Sequence, residues 1–217
     1  YVLDGGEVSS QELRTQFWPD KSRRKQIENM HSAVHAIRDG LGSDVIATNS
    51  NGYAAGEGVR LDAAAFERAA ALALRMDSNS PEAKQVTSEA LELFKGEFLP
   101  QFDSEWVLDR RRQLNEQFIR LAERYGELVS DKRGRLRAID HLEAAVRLDP
   151  YRETLQIEYL EKLAEEGRFH EVKIQAARYR RKLAEELQLK PSQAFERRYR
   201  ELLADRSTSH PLARLAS

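Results

Sequence analysis

Two stretches of the chain repeat one apolar pattern. Gly134-x3-Ala138-x3-Leu142-x2-Ala145 is echoed by Gly167-x4-Val172-x3-Ala176-x2-Tyr179, and Ala138 to Val172 is 34 residues. Steps of three and four place such residues on one side of a helix. A period of this length belongs to a helix pair that cannot bury its apolar side alone, so the pattern calls for stacked helix pairs. Leu148-Asp149-Pro150 closes the first copy, and Leu189-Lys190-Pro191-Ser192 plays a similar part after a longer second copy. A last helix, about 192–203, is expected to cap the stack with a polar outer face. From Asp205 the chain lacks pattern and is expected to be loose.

Helical signals extend upstream of the repeat. Asp62 can cap a helix to about Met76 with Phe66, Ala70, Leu72 and Leu74 as its apolar positions. Ser78–Pro81 breaks it, and Pro81 suits the first turn of a helix to about Phe94. A long helix is expected from about Ser104 to Val129. The loop Gly96-Glu97-Phe98-Leu99-Pro100-Gln101-Phe102 is too apolar to lie free in water. Phe98, Phe102 and Trp106 are expected to plug the start of the stack, with a ligand pocket there as the alternative.

Bulk properties narrow the function classes. With 11 Gly and 6 Pro in 217 residues, helix breakers are sparse, and the absence of Cys excludes disulfides, thiolate metal sites and cysteine nucleophiles. No apolar run approaches the roughly 18 residues of a membrane span. Neither a membrane nor a secreted location is therefore expected, and the expected location is the cytoplasm. Net charge is -1. Through Gly58 there are six Lys/Arg against eight Asp/Glu, so any contact with nucleic acid must come from a local patch.

That patch lies within residues 8–53. Ser9 or Ser10 can cap a short helix containing Leu13 and Phe17, which Trp18-Pro19-Asp20 ends. Four of the next five residues are basic: Lys21, Arg23, Arg24 and Lys25. A second helix is expected from about Ser22 to Leu41, with Ile27, Met30, Val34, Ile37 and Leu41 as one apolar stripe. Val45–Ala47 then reads as a short strand, Asn49–Gly52 as turn material and Tyr53 as the return of a hairpin. The opening Tyr1–Gly6 resembles the tail of a helix whose body is missing, so the chain is expected to be a fragment.

Opposite the stripe, Lys25, Glu28, Asn29, Ser32, Ala36 and Asp39 point away, with His35 near their edge. Lys25, Asn29 and Ser32 could bond base edges in a major groove, while Lys21, Arg23 and Arg24 suit phosphates at the helix N-terminus. Periodicity alone equally allows a solvated charged face. His31 and His35 have a metal-ligand spacing, but no Glu follows His31 and no third ligand is evident. No metal, cofactor or catalytic set is expected, since no Gly-rich phosphate loop, Ser-His-Asp order or nucleophile elbow occurs. Arg110-Arg111-Arg112, Glu165-Glu166-x-Arg168 and Arg180-Arg181-Lys182 read as solvated helix faces, with partner or nucleic-acid contact the alternative for the first.

Asn29-Met30-His31-Ser32-Ala33-Val34-His35, between Trp18-Pro19-Asp20 and Gly52-Tyr53, resembles the winged helix of bacterial activators of the antibiotic regulatory (SARP) type. The likeness continues downstream. Val59-x2-Asp62-x3-Phe66-Glu67, Ala90-Leu91-x2-Phe94-Lys95-Gly96-Glu97-Phe98-Leu99-Pro100 and Phe102-Asp103-x-Glu105-Trp106-Val107 resemble their tetratricopeptide-like bacterial transcriptional activator domain. The resemblance implies a mainly α protein. Its expected parts are an incomplete winged helix-turn-helix with a small hairpin over 1–58, an all-α repeat domain over 59–204 and a tail over 205–217.

By the same resemblance the helix about 22–41 is the recognition helix and Val45–Gly58 the wing, with Asn49 and Asn51 as supporting contacts. Double-stranded DNA in direct repeats and RNA polymerase are the implied partners, with self-association as a homodimer through the helical domain. Two departures stand out. Wings of this family commonly carry an Arg where this chain has Thr48-Asn49-Ser50-Asn51, and the domain's opening sheet and most of its first helix are absent. The rival expectation is a protein-interaction or signalling module whose winged helix does not bind DNA.

Overall fold

The computed structural model describes residues 7–209, so the reading of Tyr1–Gly6 as a helix tail lies outside the described residues. The chain divides between Ala65 and Phe66 into two compact units.

The first unit begins with a two-residue strand, β1 (Val8–Ser9), followed by α1 (Ser10–Phe17) and α2 (Arg23–Leu41). A 3-10 turn (Ser43–Val45) leads into β2 (Ile46–Thr48) and β3 (Gly52–Ala55). The strands form one antiparallel sheet in the order β1-β3-β2. Val8 pairs with Tyr53 on one side, and Ile46 with Ala55 and Thr48 with Tyr53 on the other. The order helix, turn, helix, hairpin is that of a partial winged helix-turn-helix. β1 is an addition to the expected hairpin, because two residues carry no readable alternation.

Only the middle of the α2 stripe is buried. Met30 and Val34 are in the core and Ile27 is half-buried, whereas Ile37 is 41% and Leu41 74% exposed. The period is helical as expected, but the described sheet and α1 cover less of the stripe than its length.

In the second unit α3 (Asp62–Arg75), which starts within the first, leads to α4 (Ala83–Leu93), α5 (Glu105–Leu128), α6 (Lys132–Leu148), α7 (Glu153–Glu165) and α8 (Phe169–Lys182). A π-turn (Leu183–Leu187) then precedes α9 (Gln193–Ser209). From α4 to α8 each helix packs on its successor, and α7 also packs on α5 and α9. This is the neighbour pattern of stacked helix pairs. No helix among the described residues is long and apolar enough to cross a membrane.

The echoed positions are core positions. Ala138, Leu142 and Ala145 of α6 and Val172, Ala176 and Tyr179 of α8 are all buried. Their flanking glycines differ in role. Gly134 lies inside α6, where its N–H donates to the capping Asp131 Oδ1 at 2.9 Å, and a Cβ would press on Val129. Gly167 instead turns the chain after α7 at φ 71.

In α3 Ala63 and Ala64 are buried at its start and Phe66, Ala70 and Ala73 continue the buried line at steps of four and three, while Leu72 is 58% exposed. Leu72 lies off that line, so its apolar character alone misplaced it. Aromatic rings carry the core onward, with Phe66 5.3 Å from Phe94 and Phe94 4.4 Å from Phe118 between centroids. Phe98 and Trp106 meet edge to face at 6.3 Å, but Phe102 is 52% exposed and plugs nothing.

The arginine triplet is not a plain solvated face. Arg110 pairs with Glu67 of α3, and Arg112 with Asp109. Arg111 donates through Nε to the Phe98 carbonyl at 2.9 Å and through Nη2 to the Leu99 and Phe102 carbonyls. One side chain thereby satisfies three carbonyls of a loop in which Leu99 takes a left-handed φ of 42. Glu166 pairs with Arg135, Arg168 with Glu171, Arg180 with Glu196 at 2.7 Å and Lys182 with Glu186. Arg181 alone of these stays exposed without an ion pair among the described residues. At the chain's end α9 continues to Ser209, so residues 205–209 are helical where a loose tail was expected. Ser192 caps this helix by accepting from Phe195 N at 3.2 Å, and Ser192 N donates to Glu153 at 2.9 Å.

Glu158 of α7 faces α5 where Gly126 leaves room, since a Cβ there would lie 2.8 Å from Glu158 Oε1. Burial pushes the Glu158 carboxyl up to about 8, and repulsion from Glu123 and Glu127 adds to the effect; Lys162 opposes it and Glu161 reinforces it. A carboxyl raised on folding favours the folded state while protonated. Its contribution is complete below the ordinary value of 4.5 and fades as pH climbs to about 8. Glu158→Gln removes this loss. The melting temperature of the variant relative to wild type is therefore expected to rise between pH 5 and 8, measured by circular dichroism, and to level off above.

Candidate nucleic-acid interface

The turn between α1 and α2 is organised by a single carbonyl. Pro19 holds Trp18 out of helical geometry at φ -139 and ψ 56. Trp18 O then accepts from Lys21 N at 3.2 Å and from Gln26 Nε2 at 2.8 Å. Ser22 caps α2 by accepting from Lys25 N at 3.4 Å, and no acid lies in the first turn. The partial positive charge of the helix N-terminus therefore adds to the basic cluster.

Lys21, Arg23, Arg24 and Lys25 are all exposed. Two of them are already engaged: Arg24 Nε is 3.0 Å and Lys25 Nζ 3.3 Å from the Glu28 carboxylate. Hydrogen bonds from Arg24 first and Lys25 second hold that carboxyl below its usual range. Ser32 is exposed and returns its hydroxyl to Glu28 O at 3.0 Å. His35 is exposed, with Nδ1 3.2 Å from Asp39 Oδ1. Asn29 is half-buried, so it points outward less than the helical wheel implies.

On the hairpin, Asn49 and Asn51 are exposed, and both hold the backbone in place. Asn49 N donates to Gly52 O at 3.0 Å, and Asn51 O accepts from Ser10 N at 3.1 Å. The structure thus gathers Arg23, Arg24, Lys25 and Ser32 on α2 with Lys21 in the turn before it, and sets Asn49 and Asn51 at the tip of a separate hairpin.

Two residues outside the expected set matter for this geometry. Gln26 ties α2 to the preceding turn. Arg38, in the last turn of α2, donates to Ile46 O and Thr48 Oγ1, each at 2.7 Å. A polar residue flanking an apolar stripe is the only signal the sequence offers for Gln26, and nothing local marks Arg38.

A short helix, a pinned turn, an exposed capped helix and a hairpin, followed by stacked helix pairs, define a partial winged helix-turn-helix with a tetratricopeptide-like helical repeat domain. Residues 61–203 match the model of the bacterial transcriptional activator domain, and the chain belongs to that family. It is accordingly a member of a transcriptional activator family. The SARP-type resemblance extends upstream of that span to Asn29–His35. Mycobacterium tuberculosis EmbR, solved in complex with a low affinity phosphopeptide, shares the fold with a TM-score of 0.59 at 20% identity. The alignment covers 92% of this chain but 55% of that one, so this chain spans about half of the similar structure. No curated protein matches the chain.

The hairpin depends on two glycines. A Cβ on Gly52 would overlap the Val8 carbonyl oxygen, and one on Gly56 would overlap that of Asp44. Both obstacles are backbone, so neither can swing aside. Gly52→Ala and Gly56→Ala are each expected to destabilise the first unit by about 1–3 kcal/mol. Amide hydrogen exchange should show faster exchange at Tyr53 and Ala54, with the second unit unchanged.

Proposed function

We propose that the chain is a DNA-binding transcriptional activator that reads the major groove with α2. The observation that carries this reading is the exposed N-terminal turn of α2. It holds four cations in five residues beside a capped helix end without a compensating acid in its first turn. Lys21, Arg23 and Arg24 bind phosphates, Lys25, Asn29 and Ser32 face base edges with His35 at their margin, and Asn49 and Asn51 support from the wing. The reading divides the chain into a winged helix through residue 58, an activator domain over 59–204 and a tail. The helical domain supplies self-association on direct repeats or contact with RNA polymerase, and the protein works in the cytoplasm.

Glu28 modulates the site. As long as it binds Arg24 and Lys25, it competes with phosphate for both, so the effective charge of the patch is smaller than its cation count. This favours one other reading, a protein-interaction module with a silent winged helix, to which the acid excess through Gly58 also points.

Titration of the chain with a mixed-sequence duplex at several salt concentrations separates the two. A groove reader weakens linearly on log–log axes, and Lys21→Ala and Arg23→Ala each lower the slope by about one. Glu28→Gln is expected to tighten binding about threefold, because it frees Arg24 and Lys25 from two weak, exposed ion pairs. Absence of binding at low salt would leave the interaction module as the function.

A further inference from the structure

The sheet order leaves β2 at an edge, beside no further strand among the described residues. Gly56 N donates to Val45 O at 2.9 Å and Asn49 N to Gly52 O at 3.0 Å, which fixes the alternation of the ladder. In an antiparallel pair the intervening residues turn their backbone groups outward. Ile46 and Thr48, opposite Ala55 and Tyr53, are those residues. Their outer edge is met by the guanidinium of Arg38. Its Nη2 reaches Ile46 O and Thr48 Oγ1 at 2.7 Å each, and its Nε reaches Ile46 O at 3.3 Å.

We propose that Arg38 is the positioning residue that fixes the wing relative to α2, acting through β2 and not by touching DNA. The proposal rests on the groove-reading function of α2 and extends it to how the second contact element is held. Thr48 directly precedes Asn49, so the clamp ends where the hairpin tip begins. Arg38 lies 13 residues beyond Lys25 on α2, about 20 Å along the axis. The clamp therefore acts at the far end of the helix from the basic cluster. Planar geometry matters, because a guanidinium can serve two acceptors in fixed directions while an ammonium on a flexible stem cannot.

The test compares wild type, Arg38→Lys and Thr48→Val, with Arg23→Ala as a phosphate-contact control. Lys keeps the charge and Val removes one acceptor, so both variants are expected to fold with the wild-type circular dichroism spectrum. Amide hydrogen exchange reads the clamp without DNA, and exchange at Ala47 and Asn49, the inward-bonded amides of β2, should accelerate at least fivefold in both variants. Titration with a mixed-sequence duplex should show affinity reduced about tenfold for Arg38→Lys, equivalent to one or two neutral wing hydrogen bonds of about 1 kcal/mol. The salt slope should stay unchanged, because neutral wing donors release no counterions. Arg38→Ala should lower affinity similarly, again at constant slope.

A slope lower by about one for Arg38→Ala would make Arg38 a phosphate contact and overturn the proposal, as would wild-type exchange at Ala47 and Asn49 in the variants. Wild-type protein that binds no DNA at low salt would refute the groove-reading function and, with it, the functional part of this proposal. Accelerated exchange in that case would still establish the clamp as structural.

Discussion

The helical unit depends on how closely its helices approach, and alanine sets that distance. Ala70, Ala73, Ala90, Ala122, Ala138, Ala145 and Ala176 are all completely buried. A methyl side chain at a helix crossing lets larger neighbours such as Leu121, Leu142 and Leu160 close over it, as close packing of the interior requires. The same tightness explains Gly126 and Gly134, where an added Cβ would press on a neighbouring side chain. It also explains why polar groups at these crossings are so specific. Gln156 and Gln175, both buried, bond to each other at 2.9 Å, and Gln156 also donates to Pro150 O. Each amide thus has a partner in a place water does not reach.

Helix periodicity was legible in the sequence because it records burial directly. The 34-residue echo located the core of α6 and α8, and the starts of α2 and α5 lie at Ser22 and Ser104 as expected. Tertiary choices were not legible. Leu72 and Phe102 are apolar yet exposed, since a side chain's hydrophobicity does not say whether a neighbour will arrive to cover it. Arginine was read worst. Arg110 and Arg111 read as a solvated helix face with partner contact the alternative, and nothing singled out Arg38, yet each reaches a partner in another element, a relation that no local pattern contains.

The candidate site shows the same division. Exposure of Lys25 follows from its place opposite the Met30 and Val34 stripe, and that of Lys21, Arg23 and Arg24 from their place at the entry to α2. The binding of Glu28 to two of them follows from i,i+3 and i,i+4 spacing, which brings side chains together on any helix. The third strand and the Arg38 clamp do not follow, because both depend on how the chain returns after a turn. The wing could be recognised as a hairpin without any indication of what holds it.

Charge distribution then decides what kind of recognition this architecture can perform. Ion pairs join α3 to α5, α4 to α6 and α7 to α9, so much of the helical unit's positive charge is neutralised locally. In the first unit acids outnumber bases through Gly58. At physiological salt the screening length is about 8 Å, so a duplex beyond that distance meets little net attraction. In the proposed groove-reading function the cations of α2 would act only near contact, where helix and hairpin must already be in place. A chain of this charge therefore depends on pre-arranged geometry rather than long-range steering, and the most sensitive positions are those that set the geometry: Pro19, Ser22, Gln26 and Arg38.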